Sequence, residues 1–172
     1  MVVVLALVVV AATVVVARVV LAGPSAPPAL PAPVAAVAGS WPGSVQVPQS
    51  LPACLVYTPR GSAIAPNDSA QGGSALLIRL SAAGRPECAG WNDADILIEE
   101  APALSSLSGR VTTVTANRLQ FARVEEPTGS GRRLTLQWRC HDEMCRLSGD
   151  VGGAATEDAL TALAASLQPA QR

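Results

Sequence analysis

The chain has 172 residues, enough for one ordinary domain with extensions and too few for two full ones. Its 12 basic residues, every one an arginine, nearly balance 13 acids, and without clustered excess charge a nucleic-acid-binding face is excluded. Large hydrophobes are scarce, with one Phe and one Tyr in the whole chain, so a core built from them would gain from covalent crosslinks.

Residues 1–22, MVVVLALVVVAATVVVARVVLA, are apolar apart from Thr13 and Arg18. As a helix this run would reach roughly 33 Å, enough for the hydrocarbon core of a bilayer. In lipid such a helix satisfies its own backbone hydrogen bonds. A retained single-pass anchor is expected, and the chain's contact with the membrane runs through it. A cleaved signal peptide is the alternative, with LAG at 21–23 as a small-residue cleavage site, although no basic stretch precedes the apolar run. Cleavage would leave a secreted protein. Arg18 argues for its own end being cytoplasmic; the cysteines downstream argue for the opposite orientation, which is the one expected.

Residues 23–52 are rich in proline, alanine and serine and carry no charge. Proline at this density blocks helix interiors and ladder pairing, so an extended linker of at most roughly 90 Å is expected. Trp41 stands out in it as a residue that docks on the domain or lies at the membrane interface.

From residue 53 to 172 the texture becomes that of a folded domain, and every acid falls there. Runs at 54–59, 75–81, 94–100, 110–115, 118–126, 133–140 and 144–151 are short, β-branched or aromatic and bounded by Gly, Pro, Asn or Ser. That is the strand-and-turn pattern. Thr156 is a good N-cap with Glu157 and Asp158 in the first turn. Leu160, Leu163, Ala164 and Leu167 then form one apolar stripe, and Pro169 ends the helix. The sum is an α+β domain: a curved antiparallel sheet of about six or seven strands with a C-terminal helix packed on one face.

The stretch RCHDEMCRL places two cysteines five apart. Leu134, Leu136, Trp138 and Cys140 share one face of a strand. If the hairpin turns symmetrically over HDEM, Cys140 and Cys145 are opposite partners, near enough to bond. That leaves Cys54 with Cys88, closing a loop of about 34 residues worth on the order of 3–4 kcal/mol. Disulfides persist outside the cytoplasm. Zinc and free thiols are the rivals, but a four-ligand zinc site usually shows two short CxxC or HxxxC clusters, and here Cys54 and Cys88 stand alone.

Catalytic readings find little support. His141 is the sole histidine and sits in the hairpin loop. No nucleophile elbow, phosphate-binding glycine loop or HExxH helix occurs. The pairs Glu99–Glu100 and Glu125–Glu126 could supply carboxylates, but adjacent acids on a strand point to opposite faces and read as solubilising edge charges. Asp93 and Asp95 lack an EF-hand continuation. No enzyme activity, cofactor or metal is expected.

The run from Arg110 through RLQFARVEE, RLTLQWRCHDEMCRLSGDV and EDALTALAASL, with WNDADILIEE before it, resembles a bacterial extracytoplasmic domain found C-terminal in some membrane-bound anti-sigma factors. The matching positions are Trp138, Leu147, Gly149, Leu160, Ala164, Ser166 and Leu167, and the likeness covers about residues 91–167. It implies a sheet-plus-helix fold similar to lipoprotein-carrier and sigma-regulatory domains, with no catalytic residues to transfer. This chain departs from it in carrying the Cys140 and Cys145 pair and no visible cytoplasmic anti-sigma segment.

The functional expectation is a noncatalytic, membrane-tethered sensor or interaction domain outside the cell. Its surface for an envelope protein or other partner would be the sheet face opposite the helix. The alternatives are a carrier of lipid or another hydrophobic ligand, and an envelope hydrolase using His141 or the acidic pairs.

Overall fold

A computed structural model describes residues 26–59, 61–66, 73–91, 95–129 and 131–171. The expected transmembrane helix at 1–22 lies outside the described residues. Among the described residues no helix is long and apolar enough to cross a membrane.

In chain order the elements are α1 (Ala32–Ala38), β1 (Gln46–Pro48), β2 (Leu55–Tyr57), β3 (Ala63–Pro66), β4 (Ser74–Ala82) and a 3-10 turn (Pro86–Trp91). There follow β5 (Asp95–Ala101), β6 (Thr112–Ala116), β7 (Leu119–Thr128), β8 (Gly131–Cys140), β9 (Glu143–Val151), α2 (Glu157–Ala165) and β10 (Leu167–Pro169). Eight strands form one antiparallel sheet in the order β2-β4-β5-β9-β8-β7-β6, with β3 pairing the free half of β4's edge. The α+β expectation holds, and the sheet has one strand more than the largest count expected. That strand is β3, whose AIAP is too short to carry a period-two signal.

One face of this sheet carries the core. Ile78 and Leu80 of β4, Ile96 and Ile98 of β5, Leu147 of β9, Leu134, Leu136 and Trp138 of β8 and Phe121 of β7 point to it, all essentially buried. Phe121 meets Trp138 edge to face, ring centroids 5.1 Å apart, a preferred aromatic geometry. Helix α2 covers this face with Leu160, Leu163 and Ala164. Thr156 caps it, its hydroxyl accepting the Ala159 N–H at 3.1 Å. The close approach depends on Gly149. A Cβ there would lie 3.2 Å from Ile96 and 3.3 Å from the Leu160 methyls, so the smallest residue stands where helix meets sheet.

Two expectations are corrected here. The stretch at 23–52 is no free linker over its described part. Val34 and Ala38 of α1, Trp41, Val45 and Val47 are all buried in the main core. Pro31 precedes α1 and a proline stands in its first turn, the one place in a helix where proline is tolerated. The chain then runs back along the C-terminus, β1 pairing antiparallel with β10 (Gln46↔Pro169, Pro48↔Leu167). Composition favoured an extended spacer because it counted prolines; it could not weigh five apolar side chains meeting an uncovered sheet face. Second, Leu167 is not on the helix. The helix ends at Ala165, the Ser166 hydroxyl donates to the Leu163 carbonyl at 2.8 Å, and Leu167 begins β10. Strand pairing with β1 outcompetes a last helical turn.

Candidate functional site

The hairpin that raised the question of metal, thiol or staple is a staple. Cys140 bonds Cys145, with Cα atoms 5.8 Å apart, and Cys54 bonds Cys88, Cα atoms 5.3 Å apart; no cysteine is free. The register differs from a symmetric four-residue loop. Cys140 pairs with Glu143 and Trp138 with Cys145, so the turn is His141 and Asp142 alone. His141 takes a positive φ of 55° to make it, as tight hairpin turns require. The cysteines are therefore diagonal neighbours and not opposite ones. A slip of two residues in pairing preserves the face, and only a slip of one would have parted them. Two disulfides belong to an oxidising location, extracytoplasmic or secreted.

Polar groups collect on the sheet's second face. The registers send Glu99, Arg146, Gln137, Ser148, Thr135, Val124 and Glu126 to it. The connection from β5 to β6 crosses this face, and Leu104 seals a small apolar cluster with Ala75 and Ala101. Arg146 is the hub. Its Nε and Nη2 donate to the Gln137 Oε1 at 3.2 and 2.9 Å, Nη2 also donates to the Ser105 carbonyl at 2.7 Å, and Nη1 lies 3.7 Å from the Glu99 carboxylate. The Arg146 and Glu99 side chains are only 11% and 7% exposed. Removing one partner of so buried a pair strands the other charge. Next to this hub Ser105, Ser106, Ser108, Thr135, Ser148 and Glu126 border a hollow of about 210 Å³.

The remaining carboxylates separate. Glu99 and Glu100 do point to opposite faces, but neither is an edge charge: β5 is an interior strand between β4 and β9, and both side chains are buried. Glu100 points into the core face, opposite Leu76 and Cys145. Its Oε1 accepts the Gln46 N–H at 2.8 Å and its Oε2 is buried without a hydrogen-bond partner. Burial first, and the neighbouring Glu143 charge after it, hold this carboxyl well above the usual carboxylate range, opposed by the Gln46 hydrogen bond. Glu125 ties down Arg123 and, at 2.6 Å, Arg132; Arg123 in turn reaches Glu157 on α2 at 2.6 Å. Arg133 lies 3.5 Å from Asp150. Asp95 is half exposed and lies 3.5 Å from Arg79; Asp93 lies outside the described residues.

His141, Asp142 and Glu143 line a separate surface hollow of about 490 Å³ with Ser44. The residue types of a serine hydrolase thus stand around one depression. No hydrogen bond joins Ser44 to His141 among the described residues, and the Ser44 hydroxyl instead accepts the Gln46 amide at 2.9 Å. Sequence reasoning missed the Arg146 hub. Its one legible sign was an arginine between Cys145 and Leu147, on the polar parity of a strand, and only the register brings Glu99 and Gln137 to it.

Fold and site together define a disulfide-stapled α+β domain with one face packed and the other polar. The chain matches no family model, no curated protein and no solved structure.

Proposed function

We propose that the protein is a noncatalytic interaction domain of the cell envelope, tethered to the membrane by residues 1–22 and binding an envelope partner with the sheet face opposite the helix. One observation carries this reading: the two faces of the sheet are built for different ends. The apolar face is filled by the chain's own α1, Trp41, β1 and α2, so a lipid would first have to displace a covalently attached occupant. The opposite face is left with a hydroxyl-lined hollow beside a buried Arg146–Glu99 pair. A preorganised polar surface of this kind suits a polar protein segment. The positions behind the likeness to anti-sigma extracytoplasmic domains support a shared fold more than a shared partner. Trp138, Leu147, Leu160, Ala164 and Leu167 are all buried and structural. Envelope regulation is the process this reading favours.

The test is capture from envelope extract by the full-length chain in detergent, comparing wild type with Ser148→Tyr, which fills the hollow, and Ala162→Gln, an exposed substitution on the helix that covers the other face. A specific protein retained by wild type and Ala162→Gln and lost with Ser148→Tyr is expected. Retention of nothing, or of a protein indifferent to Ser148→Tyr, overturns the reading. Alkaline washing of membranes checks the anchor, which predicts that the chain stays in the pellet.

A further inference from the structure

The two ends of the large sheet differ. One end is broken into β2 and β3, three and four residues long, with Pro66 closing β3, the usual means of blunting an edge. The other end is β6, TTVTA, with no charge, no proline and no bulge, and no other described strand pairs with its free side. Thr112, Thr113 and Thr115 are exposed there, and Val111 just before them is 48% exposed. An edge this regular is a template for another strand.

The hairpin geometry says which groups are on offer. Asn117 and Arg118 both take positive φ, 47° and 66°, the two-residue turn that closes on a hydrogen-bonded pair, here Ala116↔Leu119. Hydrogen-bonded and non-bonded pairs alternate along the ladder. Thr112, Val114 and Ala116 therefore bond inward to β7, while the N–H and C=O groups of Thr113 and Thr115 face outward.

We infer that β6 pairs antiparallel with β6 of a second copy of this chain, about a twofold axis through Val114. The segment suits its own image. Thr113 meets Thr115 of the second copy in a hydrogen-bonded pair, and the reverse pair repeats it, giving four edge hydrogen bonds with no charge opposite a like charge inside the strand. Val114, half-buried in the single chain, meets its copy as a closely spaced non-bonded pair on the helix face. Just past the strand the same register sets the second copy's Arg110 opposite Arg118 of the turn, a like-charged pair outside the ladder. Beside β6 on that face Glu157 and Asp158 line a hollow of about 260 Å³ with Thr115, Ala116 and Asn117. Glu157 is already bound to Arg123 at 2.6 Å, and Asp158 is the acid there to offset that pair. This pairing does not involve the polar hollow, so it stands or falls apart from the partner proposed above.

The experiment is the mass of the full-length chain in detergent, by sedimentation, at concentrations up to about 100 µM, the weak range suited to a small interface. Wild type should show a dimer. Thr113→Lys with Thr115→Lys sets like charges opposite each other at both pairs and should weaken it at least about tenfold. Thr113→Lys with Thr115→Glu sets opposite charges there and should restore it. Both threonines are exposed, and circular dichroism and thermal melting of each variant confirm the fold. Thr113→Pro, which removes only an outward N–H, is a second break and should also weaken the dimer. A monomeric wild type, a dimer indifferent to the lysine pair, or a charge-swapped variant that stays monomeric overturns the inference.

Discussion

Glu100→Gln isolates the one carboxyl that the fold holds in its core. In the wild type Oε1 accepts the Gln46 N–H at 2.8 Å and Oε2 has no hydrogen-bond partner. Burial raises the pKa well above 4.5. The folded state then keeps its proton at pH values where the unfolded chain has lost it. Unfolding releases a proton in that window, and stability must fall as pH rises through it. The contribution is fully present below the unfolded value of 4.5 and declines by about 1.4 kcal/mol per pH unit above it, until the folded pKa is reached. Glutamine keeps an acceptor for Gln46 and carries no proton to lose. Its amide adds donors without partners, an offset of about 1–3 kcal/mol that does not vary with pH. The slope is therefore the diagnostic quantity, not the absolute stability. Urea titrations with disulfides intact, at a series of pH values from 4.5 to neutrality, should show wild type losing stability relative to Glu100→Gln at up to that rate. Parallel curves would refute the argument, because they would mean that Glu100 ionises equally well in both states.

Three further outcomes follow from the packing. Trp41→Ala should lower stability by about 3–5 kcal/mol in denaturant titration, as for a large aromatic removed from a core; a change within about 0.5 kcal/mol would return the segment to the status of a spacer. Replacing Cys54 and Cys88 by alanine frees a 34-residue separation and should cost about 4 kcal/mol, against about 2 kcal/mol for Cys140 and Cys145, five apart, measured as the unfolding free energy extrapolated to water with m fitted for each variant, since a looser unfolded chain raises m. Gly149→Val should cost about 1–3 kcal/mol by overpacking Ile96 and Leu160, and a double variant with Leu160→Ala should lose less than the sum of the two single losses.

The strands of the sheet were legible because their signal is local. Alternation in RLTLQWRC and the turn residues around it mark β8 whatever the rest of the chain does, and the core parity of Leu134, Leu136 and Trp138 follows from period two alone. The candidate site was much less legible. Arg146, Gln137 and Glu99 come from three strands, and nothing in 137, 146 or 99 announces the others; only strand order and register align them. Glu99 and Glu100 were misjudged for the same reason, since adjacent acids look alike whether their strand lies at an edge or in the middle of a sheet.

By itself the sequence determined the parts whose physics is short-range: period-two strands, the Thr156 cap, and cysteines spaced to bond across one hairpin. Tertiary structure alone decided what covers the apolar face. A proline-rich segment with no strong preference of its own takes whatever conformation buries Val34, Trp41, Val45 and Val47, because burying apolar surface outweighs the weak local bias of its backbone. It also decided which strand is left at the edge. That depends on the order in which all eight strands associate, a property no single stretch of residues contains.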